Sequence, residues 1–315
     1  MRRRTKPPAA PLPQREGVDP VRVRLPEDRG GAWVTVGDHL RDRFGGAVGG
    51  ARVAEMLRGG RFVGVDGVVT GEEPYTAGMY LWFHRDFPPE ERVPFEIGVV
   101  YRDERIVVVD KPHFLATMPR GRHVTETVLA RLRRELGLPD VQPAHRLDRL
   151  TAGLVLCVVR PEDRGAYQNL FRDRLVRKEY EAVAPYDPAV ALPVTVRSRI
   201  VKERGVMAAR EMPGEPNSES RIELVEHRGG LGRYRLLPTT GQTHQLRVHM
   251  NALGLPIQND PVYPVVREDG PEDFGRPLRL LARRLEFTDP VTGAGMRFES
   301  RQRLSGLGHA AEPHI

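Results

Sequence analysis

Segments patterned as strands and segments patterned as helices follow one another in this chain without a regular βαβ alternation. That order argues for an α+β domain built on a mixed, largely antiparallel sheet. Ile106 to Val109 is an apolar strand ended by Asp110-Lys111-Pro112, and Gly153 to Val159 has the unbroken apolar pattern of a buried strand. Lys178 to Val183 alternates, and Tyr234 to Leu237 also reads as strand. Thr125 is placed to cap a helix whose Val128, Leu129, Leu132 and Leu136 share one face and which Gly137 closes. Pro161 to Leu175 has its proline in a first helical turn, while Gln242 to Leu253 is a helix ended by Gly254 with Pro256 just beyond. The 32 Gly and 28 Pro have no period, which predicts many turns, and 315 residues suit about two domains.

Residues 1–26 combine arginine and lysine with Pro7, Pro8, Pro11, Pro13 and Pro20, and are expected to form a disordered basic arm. Its role is either that of a solvated terminus or a loose attraction to phosphate. Residues 27–86 form a small unit with helices over Gly37 to Phe44 and Ala51 to Leu57. A hairpin follows, split by Asp66-Gly67, and then a strand over Tyr80 to Phe83. Two helices with a small sheet resemble the alpha-L RNA-binding module, though a packing-only accessory domain fits the same residues. Residues 87–96, with Pro88, Pro89 and Pro94 among Glu90, Glu91 and Glu96, read as a linker. The larger domain spans 97–300, and 301–315 is a tail.

Cys157 is the only cysteine, so no internal disulfide and no zinc site with two thiolates can form. Neither a membrane-length apolar run nor a signal-peptide core is present, and a cytoplasmic, monomeric protein is expected. The net charge is +7, but residues 1–24 hold seven basic and two acidic residues and so carry five of those charges. Any polyanion site on the rest must therefore be a local patch. Only Lys6, Lys111, Lys178 and Lys202 are lysines against 45 arginines, a bias that reads first as genomic base composition.

Three segments could carry chemistry. His145-Arg146-Leu147-Asp148-Arg149-Leu150-Thr151-Ala152-Gly153-Leu154 places one carboxylate between two arginines ahead of a buried strand. Flanking cations favour its ionised form, which can act as nucleophile or base, and the plainer alternative is a structural ion pair. Without a Gly-rich phosphate loop, phosphoryl transfer is set aside. Thr243-His244-Gln245-Leu246-Arg247-Val248-His249 enters a helix from a glycine turn, with Thr243 and Arg247 on neighbouring faces. Its histidines lack the spacing of a zinc helix, so no metal site is expected. In Arg177-Lys178-Glu179-Tyr180-Glu181, alternation sends Lys178 and Tyr180 to one face, where a ring beside a cation can take a nucleobase or simply pack.

Together these segments resemble the RluA family of pseudouridine synthases. The family's His-Arg-Leu-Asp-Arg-x-Thr-Ser-Gly-Leu pattern is met by residues 145–154 except at Ala152, and Thr-His-Gln-Ile/Leu-Arg-Val-His is met throughout by residues 243–249. Asp110-Lys111-Pro112, Lys178-x-Tyr180, Gly254-x-Pro256-Ile257, Asp260-x-x-Tyr263 and Arg283-Arg284-Leu285-x-Phe287-x-x-Pro290 extend the resemblance from Ile97 to Glu299. Ala152, Gln242, Asn259 and His113-Phe114 depart from it.

The resemblance implies that uridine in RNA is isomerised to pseudouridine without a cofactor. The base leaves its ribose, turns and reattaches through a ring carbon. Asp148 then matches the catalytic aspartate, Arg247 the arginine that pairs with it, and Tyr180 the tyrosine that stacks on the base. Arg146 matches the residue that fills the gap left in the RNA, while Lys178, Lys111, Thr243, His244 and Arg149 complete the expected substrate contacts. The RNA partner is ribosomal or transfer RNA, with a lean to ribosomal RNA from the alpha-L-like unit. A non-catalytic RNA-binding or ribosome-assembly protein is the alternative, and a glycoside hydrolase would need a second carboxylate.

Overall fold

The computed structural model describes residues 7–28, 30–87, 89–267 and 272–304. The chain divides into two units, Met1–Pro89 and Glu90–Ile315. In the first, β1 (Val21–Arg24), β2 (Val63–Gly64), β3 (Gly67–Val68) and β4 (Tyr80–Phe83) form a sheet in the order β1-β4-β2-β3. Helices α1 (Val36–Val48) and α2 (Gly50–Arg58) cover one face, closing a core of Val23, Leu25, Leu40, Val53, Phe62 and Leu81.

The expected disordered arm is corrected at its end. Val23 and Leu25 alternate with exposed Arg22 and Arg24, so one face of residues 21–24 is apolar and pairs with β4. Residues 1–6 lie outside the described residues. The hairpin turn also shifts: Val63 faces Val68 and Gly64 faces Gly67, which leaves Val65-Asp66 as the loop in place of Asp66-Gly67.

The second unit begins with β5 (Gly98–Arg102), β6 (Ile106–Lys111), α3 (Val128–Glu135), β7 (Gln142–Pro143), β8 (Ala152–Val158) and α4 (Arg164–Arg172). It continues with β9 (Arg177–Pro185), β10 (Val194–Val201), β11 (Arg210–Met212), β12 (Ser218–Arg228) and β13 (Leu231–Pro238). Helix α5 (Gln245–Ala252), β14 (Leu280–Thr288) and β15 (Gly295–Glu299) complete it. Among the described residues the sheet runs β11-β10-β12-β13-β9-β14-β8-β6-β5, with β15 beside β14 and β7 beside β8. Every pairing is antiparallel except β14 with β8, so the mixed, largely antiparallel sheet is as the sequence predicts.

Strands β6 and β8 are buried on both faces, which explains their unbroken apolar runs. Val107, Val109, Val155 and Cys157 pack with α3, while Ile106, Val108, Leu154 and Leu156 pack with Tyr167 and Leu170 of α4. The cap of α3 is Thr127, whose hydroxyl accepts from Ala130 N, two residues beyond the expected Thr125. Residues 90–96 are no free linker. The Glu90 carboxylate accepts from the backbone of Val124, Thr125 and Glu126, and Arg131 donates to the carbonyls of Val93 and Phe95. Glu90, which looks like linker charge, satisfies the backbone ahead of α3 instead. Residues 301–302 likewise belong to the domain: buried Asp110 accepts from Arg301 N, Gln302 N and the Gln302 side chain. The last part of the expected tail, 305–315, lies outside the described residues.

Gly153 is where β8 pairs in parallel with β14, opposite Ala282. Its φ is +109°, and a Cβ there would stand 2.3 Å from the Ala282 carbonyl oxygen. Gly153→Ala is expected to destabilise the fold by about 2–3 kcal/mol through strain in the sheet that carries the site. An unchanged urea midpoint would show that this pairing tolerates a side chain.

Candidate active site

Asp148 lies within the loop between β7 and β8, and the main chain on both sides of it is pinned from the end of β6 and the segment after it. Thr117 Oγ1 donates to Leu147 O at 2.8 Å and accepts from Leu147 N at 3.1 Å. Lys111 Nζ donates to Arg149 O at 3.0 Å and also to Pro112 O and Leu115 O. His113 Nδ1 donates to Leu150 O at 2.8 Å. With its neighbours' carbonyls held this way, the loop presents Asp148 as a half-exposed side chain from a fixed backbone.

Lys111 is fully buried, and burial pushes its pKa down to about 7 against the opposing charge of Asp148. Its three carbonyl bonds use every hydrogen of the ammonium form. The expectation that Lys111 touches substrate is therefore corrected: it positions the Asp148 loop. Burial also drives His113 down to about 4 and His145 down to about 3, so both rings are neutral near pH 7. His145 stacks on Phe171 with ring centroids 4.2 Å apart and accepts from Leu156 N.

The counter-charge of Asp148 comes from α5, not from its neighbours in sequence. Arg146 is exposed, and Arg149 turns away to pair with Glu272. Arg247 Nη1 lies 3.9 Å from Asp148 Oδ2. That contact is loose because the guanidinium is engaged elsewhere: Nε and Nη2 donate to the two Asp260 oxygens at 2.7 and 2.6 Å. Burial works against the charged form of Arg247, but the Asp260 bonds outweigh it and the pKa rises. Asp260, which the sequence offered only as part of a motif, is thus the principal partner of Arg247, and Asp148 the secondary one.

The turn before α5 sets the remaining groups. The helix starts at Gln245, three residues later than expected, and His244 takes a left-handed conformation with φ of 60°. Thr243 is therefore outside the helical register that would put it beside Arg247, and it lines neither cavity described below. Gln245 holds the turn through Thr240 Oγ1, Gln242 N, Glu219 O and Ser220 Oγ. Lys178 Nζ donates to Thr240 O at 2.8 Å, with its pKa lowered to about 8 by burial and by Arg174.

Two cavities meet at Asp148, His244 and Arg247. The first, about 400 Å³, is lined by Arg146, Lys178 and Tyr180 as well, so strand alternation does send Lys178 and Tyr180 to one face. Tyr180 sits at the seam of two core clusters, and burial, with the Asp148 charge, pushes its hydroxyl pKa up. The second, about 710 Å³, includes Arg122, Arg149, Arg267 and Arg276. At its rim, Asp273 Oδ1 accepts from Gly275 N in a local turn. A carboxylate between an aromatic-walled cavity and an arginine-lined one can act on a nucleotide whose base enters the first while its strand follows the second.

A family model described as RNA pseudouridylate synthase matches residues 105–252. The chain is 32% identical over 228 residues to the dual-specificity RNA pseudouridine synthase RluA of Escherichia coli strain K12, covering 68% of this chain and 95% of that protein. It is 33% identical over 184 residues to the mitochondrial tRNA pseudouridine(32) synthase of Saccharomyces cerevisiae, which is 57% of this chain and 39% of that one. It thus spans well under half of the yeast protein and 33% of the human pseudouridylate synthase RPUSD2. The fold matches human RNA pseudouridylate synthase domain containing 1, with a TM-score of 0.55 at 24% identity over 68% of this chain and 86% of the other.

Proposed function

We propose, for a chain that belongs to the RluA family of RNA pseudouridine synthases, that it isomerises specific uridines in RNA with Asp148 as the reacting group. The observation that carries this reading is the placement of one half-exposed carboxylate where two cavities meet, 3.9 Å from a buried arginine. The target nucleotide leaves its stack and puts its base in the cavity beside Tyr180, while the flanking phosphates follow the arginines of the second. Asp148 acts at the ribose, either attacking C1′ or removing a ribose proton. The N1–C1′ bond breaks and a C5–C1′ bond forms, and the hydrogen leaving C5 is balanced by one gained at N1. Arg247, anchored by Asp260, keeps the carboxylate oriented, and Arg146, exposed at the cavity mouth, takes the place of the extruded base.

Tyr180 gives the detached uracil a ring to lie on while it turns. Tyr180→Phe keeps the ring and should retain most activity, whereas Tyr180→Ala should lose roughly 10- to 100-fold, the worth of one base stacked on an aromatic face. Harmless alanine in a turnover assay would remove the stacking role.

The substrate is ribosomal or transfer RNA. The word tRNA in one relative's name and dual specificity in another's support more than one target class. Mapping pseudouridines across all RNAs of cells with and without the gene tests the reading. One or a few uridines should lose their modification in the deletion and regain it with the wild-type gene. An unchanged map would overturn the assignment.

A further inference from the structure

Tyr263 fixes which hydrogen His244 carries. Its hydroxyl donates to Ala209 O at 2.7 Å and accepts from Ala209 N at 2.9 Å. A phenol has one hydrogen, already committed to that carbonyl, so the 3.1 Å contact with His244 Nδ1 must be an N–H donated by the imidazole. Burial holds the ring neutral, with a pKa of about 4, against the pull of Asp148. Nε2 therefore has a lone pair and no hydrogen. It faces Asp148 Oδ2 at 4.0 Å, too far for a direct bond and on the border of both cavities.

Two acceptors held 4.0 Å apart leave room for one donor oxygen within hydrogen-bond reach of both. The reaction supplies that oxygen. Whether Asp148 attacks C1′ or takes a ribose proton, the 2′-hydroxyl lies on the reacting carbon or the one beside it. We propose that His244 reads the ribose 2′-hydroxyl of the target nucleotide, accepting its hydrogen at Nε2, and so distinguishes ribose from deoxyribose at the reacting sugar. This rests on the pseudouridine synthase reading and adds to it a specificity-determining group. Arg247, the arginine nearest Asp148, cannot accept that hydrogen, since guanidinium has no acceptor.

Two substitutions separate the ring's two nitrogens. His244→Asn suits the left-handed backbone and can still donate to Tyr263, but it has nothing at the Nε2 position. His244→Gln reaches the Nε2 position with an amide oxygen. The probes are two RNA oligonucleotides spanning a mapped target, one with uridine and one with 2′-deoxyuridine at that position. The readout is the KM of the first and the Ki of the second as its competitor. Wild type and His244→Gln should favour the ribose form. In His244→Asn the Ki/KM ratio should fall by roughly 5- to 10-fold, the scale of one neutral hydrogen bond. An undiminished ratio in His244→Asn, or no ribose preference in wild type, would overturn the proposal. If wild type formed no pseudouridine in the uridine RNA, the parent reading would fail instead, which keeps the two failures distinct.

Discussion

Asp148→Asn is expected to lower turnover by at least about 10³-fold while leaving RNA affinity and folding stability almost unchanged. The asymmetry follows from the geometry. The side chain is 32% exposed, and its nearest partners, the Arg247 guanidinium and the neutral His244 ring, are 3.9 and 4.0 Å away, so the neutral amide gives up little ion-pair energy. The amide has nearly the same shape, so the cavities remain. What it lacks is the charge needed to attack a carbon or take a proton. Nucleoside chromatography of digested RNA measures turnover, and filter binding measures affinity. A variant turning over within tenfold of wild type would refute the role of Asp148.

The second large effect lies one residue deeper. Asp260→Asn leaves Arg247, 3% exposed at its side chain, without the anion that both of its forked bonds engage. An unpaired buried guanidinium costs about 3–5 kcal/mol. It should also swing toward Asp148, so the stability loss in urea comes with a fall in kcat. The double variant Asp260→Leu with Arg247→Met removes both charges. It should recover most of the stability and none of the activity, since a buried pair can be replaced by apolar groups more cheaply than it can be broken. If Asp260→Asn kept wild-type stability and kcat, the anchoring of Arg247 would be misassigned.

The sequence made the apolar architecture legible where burial is complete. β6 and β8 are covered on both faces, so their patterns are unbroken, and Tyr80–Phe83 matches β4 residue for residue. It missed β10 and β12 because their faces carry serine and charge. In β12, Ser218 and Ser220 are buried beside Ile222, which no hydropathy pattern marks as a strand. In the site, Asp148 and Tyr180 stood out because their chemistry is contained in local motifs. The roles of Asp260, Thr117 and Lys111 did not, since each acts on a residue brought near only by folding: Asp260 on Arg247, and Thr117 and Lys111 on the carbonyls around Asp148. The local pattern alone pointed to the flanking cations, whereas the family resemblance pointed to Arg247. Arg146 and Arg149 flank the aspartate along the chain, but Arg146 is exposed and Arg149 pairs with Glu272, and the helix supplies Arg247 in their place.

The most direct test of the account is a crystal structure of Asp148→Asn bound to an RNA oligonucleotide spanning the mapped uridine. The account predicts that nucleotide turned out of the helix, its uracil on the Tyr180 ring and its sugar within about 3.5 Å of the residue 148 side chain. A target uridine still stacked in the RNA, or a sugar facing away from position 148, would contradict it.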